Sequence, residues 1–111
     1  MAKERILNMV VTECPSKNTE AFNKWYNEVH IPMLMKYKGL KKVTRYKIMD
    51  EHDGKCQFIA VYEYDTKEAL NGINSSPEFK AAIEEMQETQ KSLPFELKYA
   101  LACEPIKTWG K

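Results

Sequence analysis

The sequence predicts one α+β domain over residues 1–111, built around a four-stranded antiparallel sheet. Four segments are rich in Val, Ile, Tyr and Phe, a composition typical of strands. Two further regions repeat apolar residues at helical spacing, which gives the order β-α-β-β-α-β. The pair Asp53-Gly54 separates the two middle strands and is a strong hairpin signal, so these strands are expected to be antiparallel.

The first strand is predicted over residues 5–12, and its apolar residues fall on both faces. A turn then leads to the first helix, with Asn18 or Thr19 as its N-cap. The helix is expected to run to about residue 36, and Gly39 is expected to close it.

The first helix carries an apolar stripe that predicts packing on the sheet. Trp25 and His30 are expected on opposite shoulders of this stripe. Pro32 has no N–H for the Glu28 carbonyl, so the helix should kink there and leave a cavity beside His30. At 100° per residue, the stripe consists of Phe22, Tyr26, Val29 and Met33.

The remaining elements follow from turn and capping signals. They are a strand over 40–49, a hairpin turn over 50–55, a strand over 57–64, a helix capped by Asp65 or Thr66 that ends near residue 73, a helix capped by Ser76 with Pro77 in its first turn, and a strand over 95–106.

The order β-α-β-β-α-β is the ferredoxin-like sandwich, whose two helices cover one face of the sheet. The predicted strands are apolar on both faces. An apolar face of about several hundred Å² is seldom left in water. The sequence therefore predicts a homodimer in which two sheets close against each other.

Charge and composition exclude several classes of function. The 17 basic and 16 acidic residues are interleaved, so no nucleic-acid surface is expected. The sequence holds no apolar run of membrane length, and a cytoplasmic protein without membrane contact is predicted. Three widely spaced cysteines predict neither disulfides nor a metal site. With no glycine-rich phosphate loop either, the chain is expected to carry no cofactor.

His30 is the candidate catalytic residue, because imidazole exchanges protons near neutral pH. If the helix pauses at Pro32, its dipole should favour the protonated form of His30. The alternative is a structural histidine that hydrogen-bonds a loop carbonyl.

Aromatic side chains are the candidates for binding a planar substrate. At these spacings, aromatic residues more often belong to an ordinary core. Arg45 and its strand neighbour Tyr46 must point to opposite faces, so both cannot line one pocket. The candidate substrate-binding residues are Trp25, Tyr26, Tyr46 and Tyr62.

Three motifs carry a family resemblance: residues 25–32 (WYNEVHIP), 37–40 (YKGL) and 45–48 (RYKI). Together they resemble the dimeric α/β-barrel superfamily, and its EthD-like branch in particular. Tyr37-Lys38-Gly39 stands where that branch has Pro-Gly. The resemblance implies a ferredoxin-like monomer that dimerises into an α/β barrel. It also implies that Trp25, Tyr26 and His30 match the helix motif, and Tyr46 the strand motif.

Two functions remain open from the sequence. Members of the superfamily include polyketide-tailoring cyclases, dehydratases and cofactor-free oxygenases. The first hypothesis is therefore a small cofactor-independent enzyme that uses acid/base chemistry on an aromatic or polyketide-like metabolite. In it, His30 moves a proton while Tyr46 or Tyr62 hydrogen-bonds a substrate oxygen. The alternative is a non-catalytic dimer that binds a small hydrophobic ligand or has a structural role.

Overall fold

A computed structural model describes residues 5–111 and confirms the predicted fold class. One continuous helical segment over residues 19–34, here called the helical rod, connects the first strand to the second. Two further helices connect the third strand to the fourth. The elements are β1 (Ile6–Pro15), a 3₁₀ turn (Ser16–Asn18), α1 (Thr19–Trp25), a π-helical turn (Tyr26–His30), α2 (Ile31–Leu34), β2 (Leu40–Lys47), β3 (Lys55–Tyr64), α3 (Lys67–Ile73), α4 (Pro77–Gln90) and β4 (Glu96–Cys103).

The four strands form one sheet in the order β2-β3-β1-β4, and each neighbouring pair is antiparallel. In the centre of the sheet, Val10 of β1 lies opposite Ala60 of β3 and Ala100 of β4. The β1–β4 register shifts between Val11 and Thr12, which marks a bulge. This is the ferredoxin-like topology that the element order predicts.

The core lies between the helices and one face of the sheet, here called the inner face. Alternate residues of β3 from Cys56 to Tyr64 are buried there, as the period of two requires. From the helical rod, Phe22 is fully buried and Tyr26 is 3 % exposed. The predicted stripe therefore packs on the sheet, with Val29 and Met33 partly buried at its margin.

The predicted N-caps of α3 and α4 form hydrogen bonds between a side-chain hydroxyl and the backbone. The Thr66 hydroxyl accepts a hydrogen bond from the Ala69 N–H, and the Ser76 hydroxyl accepts one from the Phe79 N–H. The hairpin between β2 and β3 has Asp53 at φ 52° and Gly54 at φ 71°, the left-handed backbone that its tight turn requires.

Gly39 is required for a different reason from the one predicted. It does not adopt a left-handed conformation, so it is not a helix-closing glycine. A Cβ at this position would lie only 2.6 Å from the Tyr37 ring. Any larger residue would therefore force the Tyr37 side chain, whose hydroxyl donates to the Ala69 carbonyl, to shift.

Pro32 is accommodated by a change of helical pitch. The rod widens into a π-helical turn over Tyr26–His30 and then continues as α2 to Leu34. At the end of this turn, the Ile31 N–H donates to the Tyr26 carbonyl, five residues back. The helix thus neither stops at Pro32 nor extends to residue 36.

The opposite face of the sheet, here called the outer face, carries no helix within residues 5–111. Met9 and Val11 of β1 lie in its centre, opposite Leu101 and Tyr99 of β4. Leu101 is 56 % exposed and Tyr99 is 61 % exposed. Ile59 and Val61 of β3 continue the same apolar surface towards β2.

Within residues 5–111, the helices are too short and too polar for any of them to cross a membrane.

Candidate functional site

A cavity of about 180 Å³ lies between the helices and the inner face of the sheet. Its walls come from β1, β3, β4, the helical rod, α4 and the α3–α4 junction. Most of the lining is apolar, which is typical of sites for small organic ligands. The polar lining residues are Asn8, Thr12, Tyr26, His30, Tyr62, Tyr64 and Asn74.

His30 lies in the wall of this cavity, as the sequence predicted, and is only 6 % exposed. Its ring meets the Tyr26 ring edge-on, with the two centroids 5.0 Å apart. The His30 Nδ1 atom is buried and has no hydrogen-bond partner among the described residues. His30 is therefore not tied to a loop carbonyl through Nδ1, as a purely structural histidine would be.

Burial lowers the pKa of His30 from its ordinary value to about 4. The carboxylate of Glu85 opposes this shift, and the positive charge of Arg45 adds to it. The expectation of a protonated imidazole is therefore corrected. The helix does not end at Pro32, and loss of hydration outweighs any dipole effect. At neutral pH the His30 ring is uncharged and able to accept a proton.

Trp25 supports His30 from outside the cavity. The two rings stack with centroids 5.0 Å apart and planes inclined by 27°. The Trp25 Nε1–H donates to Glu85 Oε1 of α4 at 2.9 Å. Glu85 is held in turn by the Thr89 hydroxyl, which donates to its other oxygen. Trp25 thus orients the imidazole and joins the rod to α4 without lining the cavity.

Tyr26 and Tyr62 bring two hydroxyl groups together in the cavity wall. Their oxygens are 2.8 Å apart, and both side chains are buried. Burial raises the pKa of Tyr26 and raises that of Tyr62 well above its ordinary value, so both remain protonated. When one hydroxyl donates to the other, one O–H of the pair remains to donate to a ligand oxygen.

Arg45 backs this pair from the inner face of β2. Its guanidinium carbon lies 4.2 Å from the Tyr26 ring centroid, and Nη1 donates to Asn27 Oδ1 at 2.9 Å. Its Nε and Nη2 atoms have no hydrogen-bond partner within residues 5–111, and aromatic rings take their place. Because it is positive, Arg45 opposes the rise in the pKa of both tyrosines.

The structure does not bring Tyr46 to this site. Tyr46 lies opposite Ile59 on the outer face of the sheet and is 55 % exposed. Its neighbour Arg45 takes the inner face, as strand alternation requires. Of the four candidate binding residues, Tyr26 and Tyr62 line the cavity, Trp25 supports it, and Tyr46 lies on the other side of the sheet.

Sequence reasoning did not single out Thr12, Asn8 or Glu85. Thr12 is 3 % exposed and lines the cavity with Asn8, which shares its side of β1. The signal was available, since Asn8 and Thr12 are four residues apart in a strand and therefore lie on the same face. The role of Glu85 depends on where α4 crosses the rod, which no local pattern reveals.

The cavity opens to the surface between the α3–α4 junction and β4. Asn74 of the junction is exposed, and Leu97 of β4 is 52 % exposed, yet both line the cavity. A ligand can therefore enter without unfolding of either layer.

The fold and this cavity define the class of protein. It is a ferredoxin-like α+β domain with a small, mostly apolar cavity that has several polar side chains in its wall and lies between the helices and the sheet. The chain belongs to the family described as Domain of unknown function (DUF4286), whose model matches residues 5–99. Comparison with curated proteins finds none that matches this chain.

Solved structures share the fold over nearly the whole chain. An EthD family protein of Bacillus halodurans is 22 % identical, with a TM-score of 0.70 over 92 % of this chain and 99 % of that one. A dimeric ferredoxin-like protein from an uncultured marine organism is 19 % identical, with a TM-score of 0.72 over 96 % and 99 %. These similarities confirm the predicted resemblance to EthD-like and dimeric ferredoxin-like proteins at the level of the fold.

A monooxygenase of Streptomyces coelicolor, solved in complex with the ligand nanaomycin D, has the same fold at 10 % identity. Its TM-score is 0.67, over 98 % of this chain and 94 % of that one.

Proposed function

We propose that this protein is a small cofactor-independent enzyme that moves a proton on an aromatic carbonyl compound bound in the cavity. One observation carries the proposal: His30, Tyr26 and Tyr62 line the same cavity. An uncharged imidazole beside two protonated hydroxyl groups provides a base and a donor for a developing oxyanion.

The proposed step is enolisation. The His30 imidazole accepts a proton from the carbon next to the substrate carbonyl, and the C–H electron pair moves to form the C=C bond of the enolate. The carbonyl π electrons move to oxygen, which accepts a hydrogen bond from the Tyr26–Tyr62 pair. Return of a proton from the imidazole to carbon or oxygen completes the cycle, and no oxidant or reductant is consumed.

Arg45 and Trp25 serve as positioning residues in this proposal. Arg45 lies over the Tyr26 ring and favours negative charge near the hydroxyl pair. Trp25 fixes the plane of the imidazole by stacking, and Glu85 fixes Trp25. Preorganised groups of this kind lower the cost of reorganisation during the reaction.

A specific observation also supports the alternative, a binding protein without catalysis. An imidazole whose pKa is about 4 is a weak base, and general bases work best with a pKa near the working pH. In this second candidate function, the cavity holds a small hydrophobic ligand and His30 contributes a hydrogen bond only.

The proposal includes a homodimer joined through the outer faces of two sheets. Leu101 and Tyr99 are more than half exposed on this face, around the apolar side chains of β1 and β3. A fold relative that spans 96 % of this chain is described as dimeric. A second copy of the chain is the partner that would cover such a face with a matching apolar one.

We further propose that the protein acts in the cytoplasm. Its three cysteines, Cys14, Cys56 and Cys103, are free, as expected in a reducing compartment.

The test follows exchange of the methyl protons of acetophenone in D₂O by NMR. The native protein should accelerate exchange over buffer, and His30→Ala should reduce this acceleration by roughly 10²–10⁴-fold. Tyr62→Phe should reduce it as well. The matched control is His52→Ala, because His52 is exposed in the β2–β3 hairpin.

Two outcomes would decide against enolisation. If acetophenone binds in a manner that depends on Tyr62 but exchange stays at the buffer rate, the binding function replaces the catalytic one. If His52→Ala lowers exchange as much as His30→Ala, the activity does not come from this cavity.

A further inference from the structure

We infer that the cavity selects an uncharged ligand with a single aromatic ring and excludes the multi-ring compounds expected from the family resemblance. This inference rests on the proposed function, since it concerns the same cavity. Three features carry it: the cavity's volume, the rigidity of its walls and the absence of charge in its lining.

The volume limits the ligand to about one ring. An apolar cavity of about 150 Å³ is known to hold benzene. The cavity beside His30 measures about 180 Å³. It therefore has room for a benzene ring with a short substituent, whereas a fused two-ring or three-ring system would have to protrude through the opening beside Asn74 and Leu97.

The walls offer little room for expansion on the sheet side. Tyr62, Tyr64 and Phe95 are 4 %, 1 % and 8 % exposed and are packed within the core. Protein cores are close-packed, so added volume there costs stability. On the helix side, Met86 and Ile83 are only partly buried, and Met86 is unbranched. The helix side is thus where a substitution can enlarge the cavity.

The lining selects against charge. None of the sixteen residues that line the cavity is Asp, Glu, Lys or Arg, and His30 is uncharged at neutral pH. Arg45 lies behind the Tyr26 ring and outside the lining, so a carboxylate in the cavity would have no ion-pair partner among the lining residues and is strongly disfavoured. A neutral carbonyl or hydroxyl oxygen, by contrast, is satisfied by the free O–H of the Tyr26–Tyr62 pair.

The experiment compares three probes on the native protein by titration calorimetry and protein-observed NMR. They are acetophenone with one ring, 2-acetylnaphthalene with two rings, and 4-acetylbenzoate with one ring and a negative charge. Acetophenone should bind saturably, and Tyr62→Phe should weaken its binding at least about tenfold. The naphthyl and carboxylate probes should each bind at least about tenfold more weakly than acetophenone.

A size-exchange variant makes the test reciprocal. Met86→Ala should improve binding of 2-acetylnaphthalene relative to acetophenone by about tenfold, because it removes volume from the cavity wall. Leu70→Ala is the matched control, since Leu70 is likewise partly buried against the core but lies outside the cavity. It should leave the ratio of the two affinities unchanged.

The outcomes separate this inference from the function on which it rests. If 2-acetylnaphthalene or 4-acetylbenzoate binds as tightly as acetophenone and all three depend on Tyr62, the inferred selectivity is overturned while the proposed site stands. If no probe binds in a manner that depends on Tyr62 or His30, both are overturned. Equal effects of Met86→Ala and Leu70→Ala would likewise contradict the volume limit.

Discussion

Trp25 and His30 stack face to face, although the chain places them five residues apart in one helical rod. In an α-helix, five residues correspond to a rotation of about 140°, which would put the two rings on opposite sides of the stripe. Between them lies a π-helical turn, in which the Ile31 N–H donates to the Tyr26 carbonyl five residues back. This wider turn brings the two rings onto the same side. The imidazole thereby reaches the cavity with its plane fixed.

The apolar stripe of the helical rod should contribute strongly to the free energy of unfolding. Phe22 is fully buried and contacts the rings of Tyr26, Phe58 and Phe95. Phe22→Ala should lower the free energy of unfolding by about 3–5 kcal/mol, measured by urea denaturation. The partly exposed Phe79 borders the cavity, so Phe79→Ala should cost roughly half as much. A loss below about 1 kcal/mol for Phe22→Ala would contradict the orientation of the rod.

Stability should depend on pH through His30. Its pKa is about 4 when folded and about 6.5 when unfolded, so the unfolded state binds the extra proton between these values. Above pH 6.5 the imidazole is neutral in both states and the free energy of unfolding is unaffected by it. As the pH drops to 4, proton binding to the unfolded state should lower the free energy of unfolding by roughly 3 kcal/mol. Urea denaturation at several pH values measures it.

The carboxylates also titrate in this range, so the comparison between variants isolates His30. His30→Gln should lack the component that the native protein loses between pH 6.5 and 4. His52→Gln should retain it, because His52 is exposed. Parallel pH profiles for the native protein and His30→Gln would show that His30 is not buried as described.

The hydroxyl pair should behave as a coupled unit. Tyr62→Phe leaves the buried Tyr26 hydroxyl without its partner and should cost about 1–3 kcal/mol, as should Tyr26→Phe. The double variant should cost less than the sum of the two, because it leaves no unpaired hydroxyl. Denaturation of all four proteins completes the cycle, and strict additivity would mean that the two groups do not interact.

The proposed dimer should depend on the outer face of the sheet. Leu101→Glu places a charge on this face beside Met9 of β1 and should shift the sedimentation profile at micromolar concentration from dimer to monomer. Met35→Glu is the control, because Met35 is 41 % exposed at the end of α2, on the helical side of the molecule. A native protein that sediments as a monomer would contradict the dimer.

The fold could be predicted because its signals are local. Asp53-Gly54 determines a hairpin, Ser76 and Pro77 begin a helix, and alternation in β3 determines which side chains are buried. The site was predicted in part for the same reason: Tyr26 lies on the core stripe, and Tyr62 alternates onto the inner face. Such patterns depend on residue spacing alone.

The rest of the site could not be predicted because it depends on tertiary packing. The sequence prediction assumed the 100° rotation per residue of an α-helix and placed Trp25 and His30 on opposite sides of the stripe. The π-helical turn changes this rotation, and the two rings stack on the same side. The lowered pKa of His30 results from burial beneath α4, which residue spacing cannot show. Placing Tyr46 in the pocket required knowing which face of β2 meets the helices, and that is decided by pairing with β3.

The most direct test of the central claim is a titration of the His30 imidazole nitrogens with acetophenone, followed by NMR at pH 7. The free protein should show the shifts of a neutral imidazole, and binding should change them saturably in a way that Tyr62→Phe weakens. An imidazole whose nitrogen shifts do not move with ligand, while Tyr62→Phe has no effect, would show that His30 only fills the core.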